Sequence, residues 1–279
     1  MAMDANALEH AGTKRHNVVR VSGGARRVEQ DDLAEEVPVA LEYNGISHAV
    51  MLATPCDLEE FAVGFSLSEG IVPSLADIYE AEVEHGANGI TVHLRIEGGA
   101  FVRLKEKRRN LTGRTGCGLC GTEDLGQVLR PLPQVHGKQA LSPTAVRRAL
   151  EDLKRHQPIN RQTGATHAAA WCRSDDGEGR VLAVFEDVGR HNALDKLIGF
   201  MAREKIDSTD GFLAMTSRAS VELVQKAASV GMPALVAISA PTALAVRTAE
   251  SCGMILLAFA RGDEFVAYAN ADKLAKARE

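Results

Sequence analysis

The sequence lacks long apolar runs and has no excess of basic residues. No stretch approaches the roughly 20 apolar residues that a membrane-spanning helix requires. Residues 1–20 also lack the apolar middle of a signal peptide. The formal net charge is −5, whereas proteins that bind nucleic acids or membrane surfaces usually present a basic surface. We therefore expect a cytoplasmic protein that binds neither nucleic acid nor membrane.

Cysteine is also scarce, with five residues in a chain of 279. So few cysteines do not form a disulfide framework in a chain of this length, and a reducing compartment keeps them as thiols. Cys56, Cys172 and Cys252 each stand alone, whereas Cys117 and Cys120 form a CxxC pair in the glycine-flanked sequence GCGLCG. This pair is the candidate for thiol chemistry.

The N-terminal part begins with a segment that shows no periodicity. Residues 1–35 mix glycine, alanine, histidine and arginine and are interpreted as a disordered or loosely docked tail. Residues 39–43 and 46–52 then flank Asn44-Gly45, a dipeptide typical of two-residue hairpin turns. The sequence therefore predicts a β-hairpin directly after the tail.

A helix and a second hairpin are predicted next. Asp57 is expected to cap the helix in an aspartate version of the capping box, and Gly70 is expected to end it. Residues 90–96 and 101–104 flank a pair of glycines and predict the second hairpin. The smaller, hairpin-rich N-terminal part is thus expected over residues 36–130, ending in a mobile loop with the CxxC pair.

Residues 131–279 show the alternation of an α/β fold. Strands are predicted over 166–172, 181–186, 211–216, 234–238 and 254–260, and helices over 142–153, 192–203, 220–230 and 242–251. Repeated βαβ units predict a mostly parallel, layered sheet. Ligands bind such sheets beyond the carboxyl ends of the strands, where helix N-termini offer unpaired amides to anions.

The first candidate ligand loop contains the motif EDVGRHNALDK, residues 186–196. Arg190 and His191 could bind phosphate or a carbonyl group, and Asp187 could orient His191 or accept hydrogen bonds from guanine. Alternatively, Asp187 or Asn192 caps the helix, and Asp195 and Lys196 are surface residues.

Two further loops follow at equivalent positions of the fold. The sequence TSRAS, residues 216–220, supplies Arg218, and the sequence SAPT, residues 239–242, supplies Ser239 and Thr242. Hydroxyls, a guanidinium and free amides at neighbouring strand ends can cradle a pyrophosphate or nucleotide. Pure helix capping by Ser220 and Thr242 is the alternative interpretation.

A CxxC pair has three interpretations: half of a zinc site, a dithiol redox centre, or a sulfur carrier. No second CxxC or HxxxH completes a zinc tetrahedron, and the glycines around Cys117 disfavour the helix of a thioredoxin-type centre. Nearby positive charge from Arg114 would favour the thiolate. The same basic run includes Lys105, Lys107, Arg108 and Arg109, which could equally form a solvated face.

Taken in order, the sequences GCGLCG, EDVGRHNALDK and SAPT resemble those of the formate dehydrogenase accessory sulfurtransferase family, FdhD/NarQ. The resemblance runs from the first predicted hairpin to the C-terminus. It implies a cytidine-deaminase-like layered core, a homodimer, and a persulfide on Cys117 with Cys120 assisting. Ser217 departs from the family pattern, because a glycine is expected before Arg218, and its side chain could crowd a ligand.

The resemblance also implies partners and an acceptor. Sulfur would come from a cysteine desulfurase and pass to the molybdenum bis(molybdopterin guanine dinucleotide) cofactor, which the formate dehydrogenase apoenzyme then receives. The guanine nucleotide moiety of the cofactor would bind this chain, and no protein-ligated metal is implied. The family's cofactor-binding segment corresponds to Phe259, Ala260, Arg261, Gly262, Asp263 and Glu264.

Two other functions are considered. A zinc-dependent deaminase would share the implied fold, but the sequence lacks its upstream HxE, and the order of the motifs differs. A non-catalytic chaperone would bind the cofactor and the apo-dehydrogenase without using its cysteines. Addition of sulfur to Cys117 distinguishes the carrier from the chaperone.

Overall fold

The described part of the chain consists of three sheets and the helices around them. The computed structural model describes residues 12–109, 131–174, 179–262 and 264–275. Cys117, Cys120 and Asp263 lie outside these residues. No helix in the described ranges is long and apolar enough to cross a membrane.

The N-terminal half contains a separate hairpin and a four-stranded sheet with order β4-β3-β6-β5. The elements in chain order are β1 (Thr13–Ser22), β2 (Ala25–Ala34), β3 (Val37–Tyr43), β4 (Ile46–Ala53), α1 (Leu58–Ser68), a 3₁₀ turn (Leu75–Asp77), β5 (Ile78–Gly86), β6 (Gly89–Ile96) and α2 (Gly98–Arg109).

The C-terminal half contains a six-stranded sheet with order β12-β11-β10-β9-β7-β8. Its elements are α3 (Pro143–Leu153), a 3₁₀ turn (Lys154–His156), α4 (Pro158–Thr163), β7 (His167–Cys172), β8 (Val181–Asp187), α5 (Arg190–Arg203), β9 (Phe212–Met215), α6 (Val221–Ser229), β10 (Ala234–Ala237), α7 (Ala243–Cys252), β11 (Ile255–Arg261), β12 (Glu264–Ala269) and a 3₁₀ turn (Ala271–Lys273). Every helix and strand predicted for this half is present within a few residues of its expected bounds.

The six-stranded sheet lies between two helical layers. Side chains on one face pack with α5, α6 and α7 around Trp171 and Leu194. Those on the other face pack with α3 around Leu150 and Phe212. Alternate residues of a strand point to opposite faces, so neighbours such as Phe212 and Leu213 enter different cores. This arrangement confirms the predicted layered α/β core.

The prediction of a mostly parallel sheet is wrong. β10 is parallel to β9 and β11, but β7 is antiparallel to both β8 and β9, and β12 is antiparallel to β11. Strands β7 and β8 follow each other without a crossover helix, so they pair as a hairpin. Strands β8 to β11 nevertheless run in one direction, and their carboxyl ends share one edge of the sheet.

The first hairpin and the helix after it are confirmed, but the expected helix cap is wrong. Asn44 and Gly45 have φ angles of 46° and 80°, as their turn requires. Asp57 precedes α1 with a φ of 52° and makes no side-chain cap hydrogen bond. Gly70, with a φ of 63°, follows the last turn of α1 as predicted.

The predicted second hairpin is wrong. Residues from Gly98 onward form α2, and β6 instead pairs with β5 and with β3. The carboxylate of Glu97 accepts hydrogen bonds from the amides of Gly99 at 2.7 Å and Ala100 at 2.8 Å. These bonds satisfy amides that a helix start leaves free, so the glycine pair begins a helix rather than a turn.

The predicted tail also needs correction. Residues 13–34 form the β1–β2 hairpin, whose pairing runs from Thr13 opposite Ala34 to Ser22 opposite Ala25. An ion pair between Arg15 and Asp32, at 2.9 Å, joins the two strands. Both faces of this hairpin are largely exposed, so its strands lack the apolar–polar alternation that a strand with one buried face shows. Residues 1–11 lie outside the described ranges.

Helices α1 and α5 cross where two glycines meet the opposite backbone. A Cβ atom on Gly64 would lie 1.7 Å from the carbonyl oxygen of Asp195. One on Gly199 would lie 1.9 Å from the carbonyl oxygen of Glu60. Only glycine fits either position without separating the helices, and this crossing joins the N-terminal sheet to the C-terminal core.

We expect Gly64→Ala to lower the free energy of unfolding by at least about 2 kcal/mol, because overpacking of this kind displaces backbone. Gly98→Ala is the matched control, since a Cβ there meets no atom within 4 Å. Urea denaturation measures both variants. Equal midpoints for Gly64→Ala and Gly98→Ala would contradict this account of the crossing.

Candidate functional site

The carboxyl ends of β8, β9, β10 and β11 form one continuous polar edge. The loops after β9 and β10 are paired through Ala219 and Pro241. The loop after β9 is also bonded to the start of β7, because Thr216 Oγ1 accepts a hydrogen bond from the amide of Ala168 at 2.8 Å. The predicted meeting of these loops is therefore present.

Much of the EDVGRHNALDK motif holds the fold together. Lys196 and Asp187 are both fully buried and form an ion pair at 2.8 Å. Asp187 also accepts a hydrogen bond from the Thr54 amide at 3.0 Å, and Lys196 donates to the Thr54 carbonyl at 3.1 Å. The motif is thus fastened to the chain between β4 and α1.

A second buried ion pair lies beside the first. Lys226 of α6 bonds Asp195 at 2.9 Å and Glu69 at 2.7 Å. The hydroxyl of Ser68 donates to Asp195 at 2.6 Å. These contacts link α1, α5 and α6 below the polar edge.

Three interpretations of the motif are therefore wrong. Asp195 and Lys196 are not surface residues, since both are 0% exposed. Asp187 neither orients His191 nor is available to guanine, because its carboxylate is 0% exposed and is bonded to buried partners. Gly189 has an ordinary φ of −96°, and it is needed because a Cβ would lie 2.7 Å from the side-chain nitrogen of Asn192.

Arg190 and His191 are the members of the motif that retain unused polar atoms. Among the residues described, Nε of Arg190 and Nε2 of His191 are buried and have no hydrogen-bond partner. Burial, followed by the charges of Arg190 and Lys226, lowers the pKa of His191 to about 4. The imidazole is therefore neutral near pH 7 and can donate or accept a hydrogen bond.

His167 joins this cluster, although the sequence interpretation missed it. Burial, followed by the charges of Arg190 and Arg218, lowers the pKa of His167. The charges of both arginines thus act on His167. Because β7 is antiparallel to its neighbours, its first residue lies at their carboxyl edge. The sequence shows a histidine at the start of a predicted strand. That position indicates a place in the site only once β7 is known to run antiparallel to its neighbours.

The other predicted loop residues have mixed surroundings. Ser217 is 3% exposed and its hydroxyl donates to the carbonyl of Arg218 at 3.1 Å, so its side chain does not crowd the surface. Thr242 caps α7, accepting a hydrogen bond from the Ala245 amide at 3.2 Å. Ser220 makes no side-chain cap bond to α6.

Residues 259–262 and Glu264 form the far side of the same edge. Phe259 is 46% exposed with a φ of 52°, and its amide donates to the carbonyl of Ser239 at 3.2 Å. Arg261 is exposed and its Nε donates to the carbonyl of Ile238 at 3.3 Å. Ala260 is 1% exposed and belongs to the core, so it offers almost no surface to a ligand.

The geometry thus places Arg190, His191, Arg218, Ser239, Thr242 and the segment from Phe259 through Ala260, Arg261 and Gly262 to Glu264 along one edge, while Asp263 lies outside the described residues. Contact of these residues with a ligand stays a prediction.

Comparison with known sequences decides the family. The profile of the FdhD/NarQ family matches residues 34–275. The chain belongs to the FdhD/NarQ family. Relatives named "Sulfur carrier protein FdhD" include one from Cupriavidus necator, 52% identical with 92% of this chain and 88% of that protein covered. One from Variovorax paradoxus is 53% identical over 86% of this chain and 85% of that protein.

A solved structure has the same fold as this FdhD/NarQ chain. It is a crystal structure from Desulfotalea psychrophila, assigned as a formate dehydrogenase accessory protein. The TM-score is 0.73 at 20% sequence identity, and the match covers 94% of this chain and 99% of that one. At this identity the similarity establishes the fold of the FdhD/NarQ chain alone.

The cysteines described in this FdhD/NarQ chain are poor nucleophiles. Cys56, Cys172 and Cys252 are all buried. Burial raises the pKa of the Cys56 thiol to about 12, and it also raises the pKa of Cys172 and Cys252. Because the thiolate is the reactive form, these three side chains stay protonated and inert near pH 7.

We expect His191 to remain neutral down to about pH 4, and Arg190→Ala to raise its pKa because a neighbouring cation is removed. In the unfolded chain the pKa of His191 is the ordinary 6.5, so between pH 6.5 and about pH 4 the unfolded chain binds more protons than the folded one. The contribution of His191 to the free energy of unfolding therefore falls as the pH is lowered through that range. Nitrogen-15 NMR titration of the imidazole measures the pKa. Arg203→Ala, at the other end of α5, is the control, and equal shifts in both variants would contradict the assignment.

Proposed function

We propose that this chain is a sulfur carrier and sulfurtransferase. It takes sulfane sulfur from a cysteine desulfurase as a persulfide on Cys117. It then passes the sulfur to the molybdenum bis(molybdopterin guanine dinucleotide) cofactor that formate dehydrogenase requires. Membership of the FdhD/NarQ family and the names of its close relatives support this proposal.

The state of the other cysteines is the observation that carries the assignment. Of five cysteines, the three described are buried with raised pKa values. A sulfur carrier needs a thiol that can ionise and meet two partner molecules in turn. Cys117 and Cys120 are the remaining candidates, and the sequence around them is glycine-rich and basic.

The proposed chemistry is two successive transfers of one sulfur atom. The Cys117 thiolate attacks the terminal sulfur of the desulfurase persulfide, a new S–S bond forms, and the desulfurase cysteine leaves as a thiolate. The terminal sulfur then passes to the acceptor, which supplies the two electrons that make it a sulfide ligand. Cys117 returns as a thiolate, and the role of Cys120 is left to experiment.

The polar edge is the proposed acceptor site. Arg190 and Arg218 provide positive charge, and α5, α6 and α7 begin at the same edge, so the positive ends of their helix dipoles lie there. Both features suit a pyrophosphate. The buried, unpartnered Nε2 of neutral His191 adds a hydrogen-bonding group inside this positive surface.

Incubation with a cysteine desulfurase and cysteine is expected to increase the intact mass of the chain by one sulfur atom, and Cys117→Ala is expected to abolish the increase. Cys252→Ala is the matched control, because that thiol is buried and protonated. If the wild-type chain gains no sulfur, the carrier role is wrong and the non-catalytic chaperone is favoured. If the Cys117→Ala variant still gains one sulfur atom, another cysteine carries the persulfide.

We expect the chain to bind GDP, and Arg218→Ala or His191→Ala to weaken binding about tenfold or more, since a hydrogen bond to a charged group contributes about 1.5–3 kcal/mol. Isothermal titration calorimetry measures the affinity. Arg203→Ala is the control, because that arginine is occupied by Glu59 and Glu60 away from the edge. Unchanged affinity would remove the substituted residue from the site.

A further inference from the structure

A histidine of the four-stranded N-terminal sheet bridges two carboxylates. His93 lies on β6, and its Nδ1 atom is 2.9 Å from Oε1 of Glu42 on β3. Its Nε2 atom is 2.7 Å from Oε2 of Glu84 on β5. Because β6 lies between β3 and β5, these contacts tie three neighbouring strands together. The three side chains are called the His93 bridge.

The His93 bridge lies on the face of the sheet that is turned away from α1. Val92 and Leu94, on either side of His93, belong to the core between the sheet and α1, so His93 points to the opposite face. The side chains of His93 and Glu42 are 37% and 27% exposed, and that of Glu84 is 71% exposed. Protons from solvent therefore reach the bridge directly.

The geometry defines the protonation state in which the bridge is complete. An ionised carboxylate only accepts hydrogen bonds, and a neutral imidazole has one donor and one acceptor nitrogen. Only the imidazolium can therefore donate to Glu42 and Glu84 at the same time. In agreement, the hydrogen bonds to Glu84 and then Glu42 raise the pKa of His93 above its ordinary value of 6.5. Loss of the proton leaves a nitrogen lone pair facing a carboxylate oxygen.

The other charged groups on this face favour the same state. Glu82 of β5 is directly opposite His93 and adds a further carboxylate on that side. On the β3 side, the residue directly opposite is Glu42 itself. Arg95, two residues along β6, is paired with Glu80 at 3.0 Å. The imidazole thus meets more carboxylates than cations among the described residues of this face.

Loss of the bridge loosens β5 more than β6. Among the described strands, β5 is at the edge of its sheet and pairs with β6, whereas β6 is also paired with β3. The end of β6 is held separately, because Asn44 accepts a hydrogen bond from the Ile96 amide at 2.8 Å and donates to the Ile96 carbonyl at 3.1 Å. Loss of the contact with Glu84 therefore removes a restraint from the strand with fewer partners.

We propose that the His93 bridge is a proton-operated switch that holds the edge strand β5 in the sheet. The bridge is complete while His93 is protonated, and β5 opens more readily once the proton is lost. Because the folded chain raises the pKa of His93 above 6.5, the stabilisation is complete below pH 6.5 and is lost as the pH rises through the folded pKa. The switch belongs to the N-terminal sheet and does not depend on the proposed sulfur transfer.

The test combines titration of His93 with hydrogen exchange of β5 in the full chain. Nitrogen-15 NMR is expected to show an imidazole pKa above 6.5, and Glu84→Gln is expected to lower it. Protection factors of the β5 amides, which are corrected for the intrinsic effect of pH on exchange, are expected to fall about two- to fivefold when the proton is lost, as for other exposed ion pairs. His93→Gln is expected to abolish this change.

Glu80→Gln is the matched control, because that glutamate lies on the same strand and is bonded to Arg95 rather than to His93. It is expected to shift the pKa of His93 less than Glu84→Gln does. Circular dichroism checks that each variant keeps its secondary structure. An ordinary pKa for His93, equal shifts in the two glutamate variants, β5 protection that is constant with pH in the wild type, or a change that persists in His93→Gln would each overturn the proposal.

Discussion

The buried ion pair between Asp187 and Lys196 is the interaction on which the arrangement of the polar edge depends. Both groups are removed from water, so each needs the other together with the hydrogen bonds around it, and loss of one partner would leave an uncompensated charge in the core. The pair fixes the end of β8 against the start of α5. Its bonds to Thr54 extend the constraint to the N-terminal half. Arg190 and His191 take their positions from this frame.

Within the EDVGRHNALDK motif, residues 186–196, the acidic side chains are buried more deeply than Arg190 and His191. The acids of the motif are buried and satisfied, whereas Arg190 and His191 lie nearer the surface with unpaired nitrogens. Lys226, which is paired with Asp195 in the core, contributes to keeping the imidazole of His191 neutral. The result is a partly dehydrated edge at which the charge of Arg190 and the neutral imidazole of His191 lie near one acid, Glu222.

The sequence predicted the elements of the C-terminal half well, because their apolar periodicity and capping residues act over short distances. It did not predict strand direction, since a hairpin such as β7–β8 and a crossover connection present similar apolar runs. Strand β5 was not predicted, although its residues alternate in exposure. The glycines at 98 and 99 were interpreted as a hairpin turn, whereas the hydrogen bonds accepted by Glu97 make them the start of a helix. The role of Asp187 was also wrongly predicted. Its burial depends on partners more than a hundred residues away in the sequence, such as Thr54, which local patterns do not reveal. The candidate residues of the edge came together as expected, but their individual surroundings required the structure.

The contact between Gly64 and Gly199 limits how the two halves can move. Where two helix backbones touch, sliding requires the helices to separate, whereas tilting about the point of contact costs less. Ser68 and Glu69 lie only about one helical turn beyond Gly64 and contact the buried network at Asp195 and Lys226. The two halves can therefore pivot at this crossing, and Ser68 and Glu69 lie close to the pivot point. A tilt that moves the outer strands of the N-terminal sheet by several ångströms would shift Ser68 and Glu69 by a fraction of that distance.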